Sequence, residues 1–106
     1  MLTPEKKLQN KIIEFLDSHT DLYYERRQAG GFSYRAGLPD LWFVYKGTHV
    51  EIEVKAPGGF PTGLQLSKET LLKKSGCLYW RGQNLEDFVN FFAKTFENAS
   101  STTLSC

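Results

Sequence analysis

Apolar residues recur along the first part of the chain with the spacing of a helix stripe. Leu8, Ile12, Phe15 and Leu16, preceded by Leu2, fall on one face. Thr3-Pro4-Glu5 is a fitting start: Thr caps well, Pro is favoured in the first helical position, and Glu suits the positive end of the helix dipole. The stripe fades near Asp17 to His19. Leu22 to Arg27 then reads as a short strand, and Gln28 to Leu38, with three glycines, as a loop. Asp40 to Lys46 and His49 to Lys55 alternate with a period of two, which predicts a hairpin across Gly47-Thr48, a pair suited to a type II′ turn. Ala56 to Gly63 holds too many Pro and Gly residues for regular structure. A helix follows from about Thr62 to Lys74, stopped by Ser75-Gly76, and Cys77 to Trp80 forms a short strand. Asn84 caps a last helix with Phe88, Val89, Phe92 and Phe96 on its buried face, and Asn98 to Cys106 reads as a polar tail. The order is α-β-β-β-α-β-α with no internal repeat: one domain over 1–97 and a tail over 98–106.

The hairpin places the chemistry. A Gly47-Thr48 turn pairs Asp40 with Lys55 and Trp42 with Glu53. One face then carries Leu41, Phe43, Tyr45, Val50, Ile52 and Val54, a continuous core face; the other carries Asp40, Trp42, Val44, Glu51, Glu53 and Lys55. Asp40 and Glu53 become diagonal neighbours, about 7 to 8 Å apart at Cα, within reach of one cation. Charged residues are expected on the wet face of any antiparallel hairpin. Three features argue for more than that. Trp42 and Val44 imply that this face is partly covered, Gly37-Leu-Pro gives Asp40 a rigid approach, and a Pro/Gly-rich loop opens directly after Lys55.

Composition narrows the class. With 106 residues, of which 14% are aromatic, the chain can bury a core without disulfides or a structural metal. No apolar run is long enough to span a bilayer, and the N-terminus has no signal-peptide pattern, so a soluble, intracellular protein is expected. Neither cysteine belongs to a CxxC or Cys/His motif and both histidines stand alone in sequence, which leaves a zinc site without support; Cys77 reads as a core residue. A net charge of +1 argues against binding nucleic acid through bulk charge. Yet the segments alternate: −1 over 1–22, +2 over 23–46, −1 over 47–65, +3 over 66–85 and −2 over 86–106. Two basic zones flank the acidic hairpin.

Gly37-Leu-Pro-Asp40, Glu53-Val-Lys55, the Ala56-Pro-Gly-Gly59 loop and a downstream Gln65 at a helix start together resemble the PD-(D/E)xK nuclease signature, specifically the virus-type replication-repair nuclease (VRR-NUC) domain. The resemblance spans about Glu5 to Trp80. It implies a restriction-endonuclease-like α/β core, a mixed central sheet flanked by helices. It also implies a divalent cation, Mg²⁺ or Mn²⁺, held by Asp40, Glu53 and the Val54 carbonyl. Similar nucleases place a further glutamate on the first helix. Glu5 lies three and seven residues before Leu8 and Ile12, on the apolar stripe, whereas Glu14 is about 200° round from Ile12. Glu5 is therefore expected at the site, the alternative being a glutamate kept for the helix dipole.

Phosphodiester hydrolysis requires neutralisation of an anionic phosphate and activation of water, and hard oxygen ligands suit Mg²⁺. Lys55 is expected to orient water or stabilise developing negative charge, and Gln65 to orient Lys55, water or phosphate, unless it is simply a helix-start residue. Arg26, Arg27 and Arg35 before the site and Lys68, Lys73, Lys74 and Arg81 after it are candidates for backbone phosphates of DNA. Phe32, Tyr34 and Phe60 either stack on bases or pack their loops. The resemblance implies a structure-specific DNA endonuclease, similar to small phage-type members that resolve Holliday junctions as homodimers, in bacterial or host cytoplasm. No nucleotide cofactor or membrane partner is implied. Flap, nick or end cleavage, and a non-catalytic DNA-binding module, are the alternatives. Tyr23, Tyr24, Tyr79 and Trp80 are either dimer interface or core.

Overall fold

A computed structural model of the chain describes residues 2–27 and 36–97. Helix α1 covers Pro4–Asp17, strands β1 Leu22–Arg26, β2 Leu41–Tyr45 and β3 Thr48–Val54, helix α2 Gly63–Lys74, strand β4 Leu78–Gly82 and helix α3 Leu85–Phe92. A π-helical turn, Ala93–Glu97, prolongs α3. The expected polar tail and most of the first glycine-containing loop, with Phe32, Tyr34 and Arg35, lie outside the described residues.

The helix starts follow the capping residues. The Thr3 hydroxyl accepts from the Lys6 amide at 3.1 Å and the Asn84 side chain from the Asp87 amide at 2.8 Å. Thr62 and Gln65 form a reciprocal capping box at the start of α2. At its other end Gly76, with φ +92°, turns the chain out of the helix in a conformation that suits glycine.

The four strands form one mixed sheet in the order β1-β2-β3-β4, antiparallel except for the parallel β3–β4 pair. This is the expected α-β-β-β-α-β-α order with a mixed sheet. Leu41, Phe43, Val50, Ile52 and Val54 are fully buried on the predicted core face, where Leu8, Ile12 and Leu16 of α1 and Phe88 and Phe92 of α3 meet them. The Phe92 ring packs on Phe43, Tyr45 and Phe96 with centroid separations of 5.8, 5.4 and 4.7 Å. Trp80 lies in this core, 5.2 Å from Phe88 ring to ring, so it is core rather than interface. Helix α2 lies against β4 on the opposite face.

The hairpin register differs from expectation. Tyr45 pairs with Thr48 and Trp42 with Glu51, so the turn is Lys46-Gly47 rather than Gly47-Thr48. Both turn residues have positive φ, +50° and +78°, the combination of a type I′ turn, whose twist matches that of the strands. A slip of two residues leaves every side chain on its predicted face, because the strand period is two. It does move Glu53 from a diagonal position to the one level with Asp40.

Candidate active site

The second face of the sheet carries the polar residues. Asp40 sits at the mouth of β2, where its carbonyl accepts from the Arg27 amide at 2.8 Å. Gly37, in the approach to Asp40, has φ +87°, and a Cβ there would lie 2.6 Å from Leu64 Cγ of α2. A glycine is what lets this segment lie against the helix that carries Gln65. The Asp40 Oδ2 atom accepts from the Val54 amide at 2.9 Å, which locks it to the end of β3.

Glu53 is 2% exposed. Its Oε2 accepts from Gln65 Nε2 at 3.3 Å and lies 3.6 Å from Lys55 Nζ. Its buried Oε1 has no hydrogen-bond partner among the described residues. Lys55 Nζ donates to Gln65 Oε1 at 2.7 Å, and the same oxygen accepts from the Thr62 amide at 2.9 Å, so the capping box that starts α2 also orients the lysine. Glu5 Oε2 accepts from the Ala56 amide at 3.3 Å, and its charge is felt at Asp40. Glu14, by contrast, is exposed beside Lys11 and Leu85. The structure thus brings Glu5, Asp40, Glu53, Lys55 and Gln65 to one end of the sheet, next to Val54.

Burial governs the electrostatics there. Burial pushes the Asp40 carboxyl above the usual carboxylate range, reinforced by Glu5 and opposed by the Val54 amide bond. Glu53 is pushed up to about 8 by burial and then by the charge of Asp40, with Lys55 pulling the other way. An unpartnered buried carboxylate oxygen facing a second carboxylate fits a divalent cation held by hard oxygens. A cavity of about 240 Å³ opens beside Lys55, lined also by Gly59, Arg81, Asn84 and Asp87.

The basic residues divide. Arg27 is committed to Glu51 by two hydrogen bonds of 2.5 and 3.1 Å, and to the Pro39 carbonyl at 3.0 Å. Arg26 donates to Asn10 at 2.6 Å on α1. Lys73 pairs with the buried Glu69 at 2.8 Å, one turn away, and Arg81 Nε lies 3.4 Å from the same carboxylate. Lys74 is exposed and Lys68 half-buried. The Lys73–Glu69 pair is a local contact within α2, but those of Arg81 and Arg27 depend on the parallel placement of β4 and on the path from β1 to β2, which no local pattern reveals. The histidines were also not as isolated as the sequence suggested: His49 Nε2 lies 2.6 Å from Glu51, and Cys77, expected in the core, is half-buried beside it.

No family model matches the sequence, and no curated protein does. A solved structure described as a VRR_NUC domain superposes with a TM-score of 0.72 at 20% identity, covering 86% of this chain and 96% of that one. The mixed four-stranded sheet, its flanking helices and this likeness together make the chain's fold the restriction-endonuclease-like α/β fold, in the form taken by a VRR_NUC domain.

Proposed function

We propose that the chain is a divalent-metal-dependent, structure-specific DNA endonuclease of the PD-(D/E)xK type that hydrolyses phosphodiester bonds, resolves Holliday-type junctions and acts as a homodimer. The carrying observation is the convergence of Asp40, Glu53 and Glu5 with Lys55 and Gln65, together with the unpartnered Glu53 Oε1. A homodimer suits a four-way junction, which presents two symmetric strands for cutting. Exposed apolar residues on and before α2, namely Phe60, Leu64, Leu66 and Leu71, are a surface suited to a second copy.

In this reading Asp40, Glu53, Glu5 and the Val54 carbonyl hold Mg²⁺ or Mn²⁺. The cation, when bound, polarises the phosphoryl oxygen and lowers the pKa of water. Lys55 points its ammonium at the place where negative charge develops, and Gln65 fixes that ammonium from the α2 cap. Lys68 and Lys74 meet backbone phosphates beside the site, and the cavity next to Lys55 receives the neighbouring one, with Arg81 on its wall already paired with Glu69. Arg26, Arg27 and Lys73 contribute less to DNA directly, since each already has a partner within the protein.

The test is incubation of the protein with labelled four-way junction, flap, nicked and linear duplex DNA, in Mg²⁺ or EDTA, followed by mapping of the cuts. Symmetric cuts across the junction that vanish in EDTA and in Asp40→Ala support the proposal. Cutting of flaps or nicks alone replaces the substrate. Binding of junctions without cleavage under any divalent metal makes the chain a binding module. Among the described residues no helix is long and apolar enough to cross a membrane.

A further inference from the structure

At the opposite end of β3 from Glu53, three residues that the nuclease reading does not use come together. His49 and Glu51 share a face of β3, and the parallel β3–β4 pairing sets Val50 beside Leu78. Cys77, one residue before β4, therefore arrives level with His49 on that same face. A His nitrogen, a Cys sulfur and a Glu oxygen all lie within 4.8 Å of one another. We propose that His49, Glu51 and Cys77 form a second cation site, suited to Zn²⁺ rather than Mg²⁺, that clamps the start of β3 to the start of β4.

Four observations support a site over a chance cluster. The donor set is an imidazole, a thiol and a carboxylate, the mixture that binds a thiophilic divalent ion, whereas Mg²⁺ prefers oxygen alone. Glu51 is 3% exposed and Arg27 grips both of its oxygens, which holds the carboxylate in place from behind as outer partners of metal ligands do. The Trp42 ring stacks on His49 with centroids 5.0 Å apart and an interplanar angle of 18°, which fixes the plane of the imidazole. Finally, a cleft of about 450 Å³, bounded by Thr48, His49, Gly76 and Cys77, opens beside two of the three donors and leaves room for water as a fourth ligand.

His49 Nε2 and Glu51 Oε2 are 2.6 Å apart, closer than two ligands of one zinc ion, which at tetrahedral geometry sit roughly 3.3 Å apart. A proton bridges them in the absence of metal. Binding needs only a small shift of the His49 ring away from Glu51 within the plane that Trp42 stacks against, and it sends the Cys77 thiol proton to solvent. The clamp then joins the hairpin start to the segment leaving α2, the helix whose first turn carries Gln65.

The proposal is tested on the full chain with the other cysteine removed by Cys106→Ser, stripped of metal and titrated with Co²⁺ as a visible stand-in for Zn²⁺. The expected result, with excess Mg²⁺ present to fill the proposed catalytic site, is one equivalent bound, a thiolate-to-cobalt charge-transfer band in the near ultraviolet, and loss of that band on adding Zn²⁺. Cys77→Ser should abolish the band, His49→Gln should weaken binding at least tenfold, and Glu53→Gln should leave it unchanged, which separates this site from the proposed catalytic one. In the chain without further substitution, Zn²⁺ should slow alkylation of Cys77 by iodoacetamide at least tenfold. Absence of the band, a band that survives Cys77→Ser, or an alkylation rate indifferent to Zn²⁺ overturns the proposal.

Discussion

Replacing Glu53 by glutamine gives a direct reading of how the proposed active site stores its charge. In the metal-free protein, burial and then the neighbouring Asp40 push the Glu53 carboxyl up to about 8, against an ordinary value of 4.5. The folded state therefore holds this proton more tightly than the unfolded chain does. Its contribution to stability is fully present below about pH 4.5 and is lost as pH rises through about 8. Each pH unit inside that window costs about 1.4 kcal/mol, so the loss is about 3 kcal/mol between pH 5 and 7 and about 5 kcal/mol once the group is ionised. That is a large part of the roughly 5–15 kcal/mol of a small domain. Urea unfolding of EDTA-treated protein from pH 5 to 9 measures it. Glu53→Gln cannot ionise, so the difference between variant and wild type should open by these amounts as pH rises. Mg²⁺ at pH 8 should then restore the wild type and leave the variant where it was. A wild-type curve that stays flat or climbs from pH 5 to 8, in parallel with the variant, would refute the reasoning, because Glu53 would then ionise as an ordinary surface carboxylate.

Three further predictions concern the residues around it. Lys55→Ala should lower turnover by about 100-fold or more while leaving Mg²⁺ affinity intact by calorimetry, since the ammonium acts on developing charge rather than on the cation. Glu5→Ala should slow cleavage and weaken metal binding, whereas Glu14→Ala, exposed beside Lys11, should match the wild type in both assays. A Cβ on Gly82 would lie 2.3 Å from Trp80 Cζ2, so Gly82→Ala should destabilise the fold by about 1–3 kcal/mol in urea. The Gly82 carbonyl accepts from the Lys55 amide at 2.9 Å, and the same variant should therefore also lose turnover.

The alternation of β2 and β3 was legible in the sequence because a period of two survives a register error. The core face and the polar face follow correctly even from a turn placed one residue away from its actual position, because that shift moves the pairing by two. What the sequence could not supply was the choice of turn: Gly47 accepts a type II′ turn as well as the second position of type I′, and the decision rests on Lys46 adopting a positive φ of +50°. Helix starts were readable because Thr3, Thr62 and Asn84 carry their own capping oxygens. Partners brought together by topology were not readable. Arg27 stands 24 residues from Glu51 and Cys77 stands 28 from His49, and both meetings need the neighbouring strands to be in place. The same holds for Glu69 and Arg81, which meet only because β4 runs parallel to β3 under α2.

The charge pattern of the polar face separates the two ends of β3 in a way that net charge conceals. Glu51 is matched in charge by Arg27, and Glu69 by Lys73 and Arg81. At the Glu53 end, Lys55 is the cation whose charge reaches both Asp40 and Glu53, and Glu5 adds to the negative side. Fully ionised, three carboxylates against one ammonium leave two negative charges in a place with little water. The chain has two ways to neutralise them. It can hold protons, which is what the upward shifts of Asp40 and Glu53 express, or it can exchange those protons for one divalent cation. The second state alone leaves Lys55 without a carboxylate to satisfy, and so free to act on an incoming phosphate. Under the proposed function a near-neutral sequence is compatible with DNA binding: Glu5, Asp40 and Glu53, three of the carboxylates that offset its basic residues, are the groups a bound cation would neutralise.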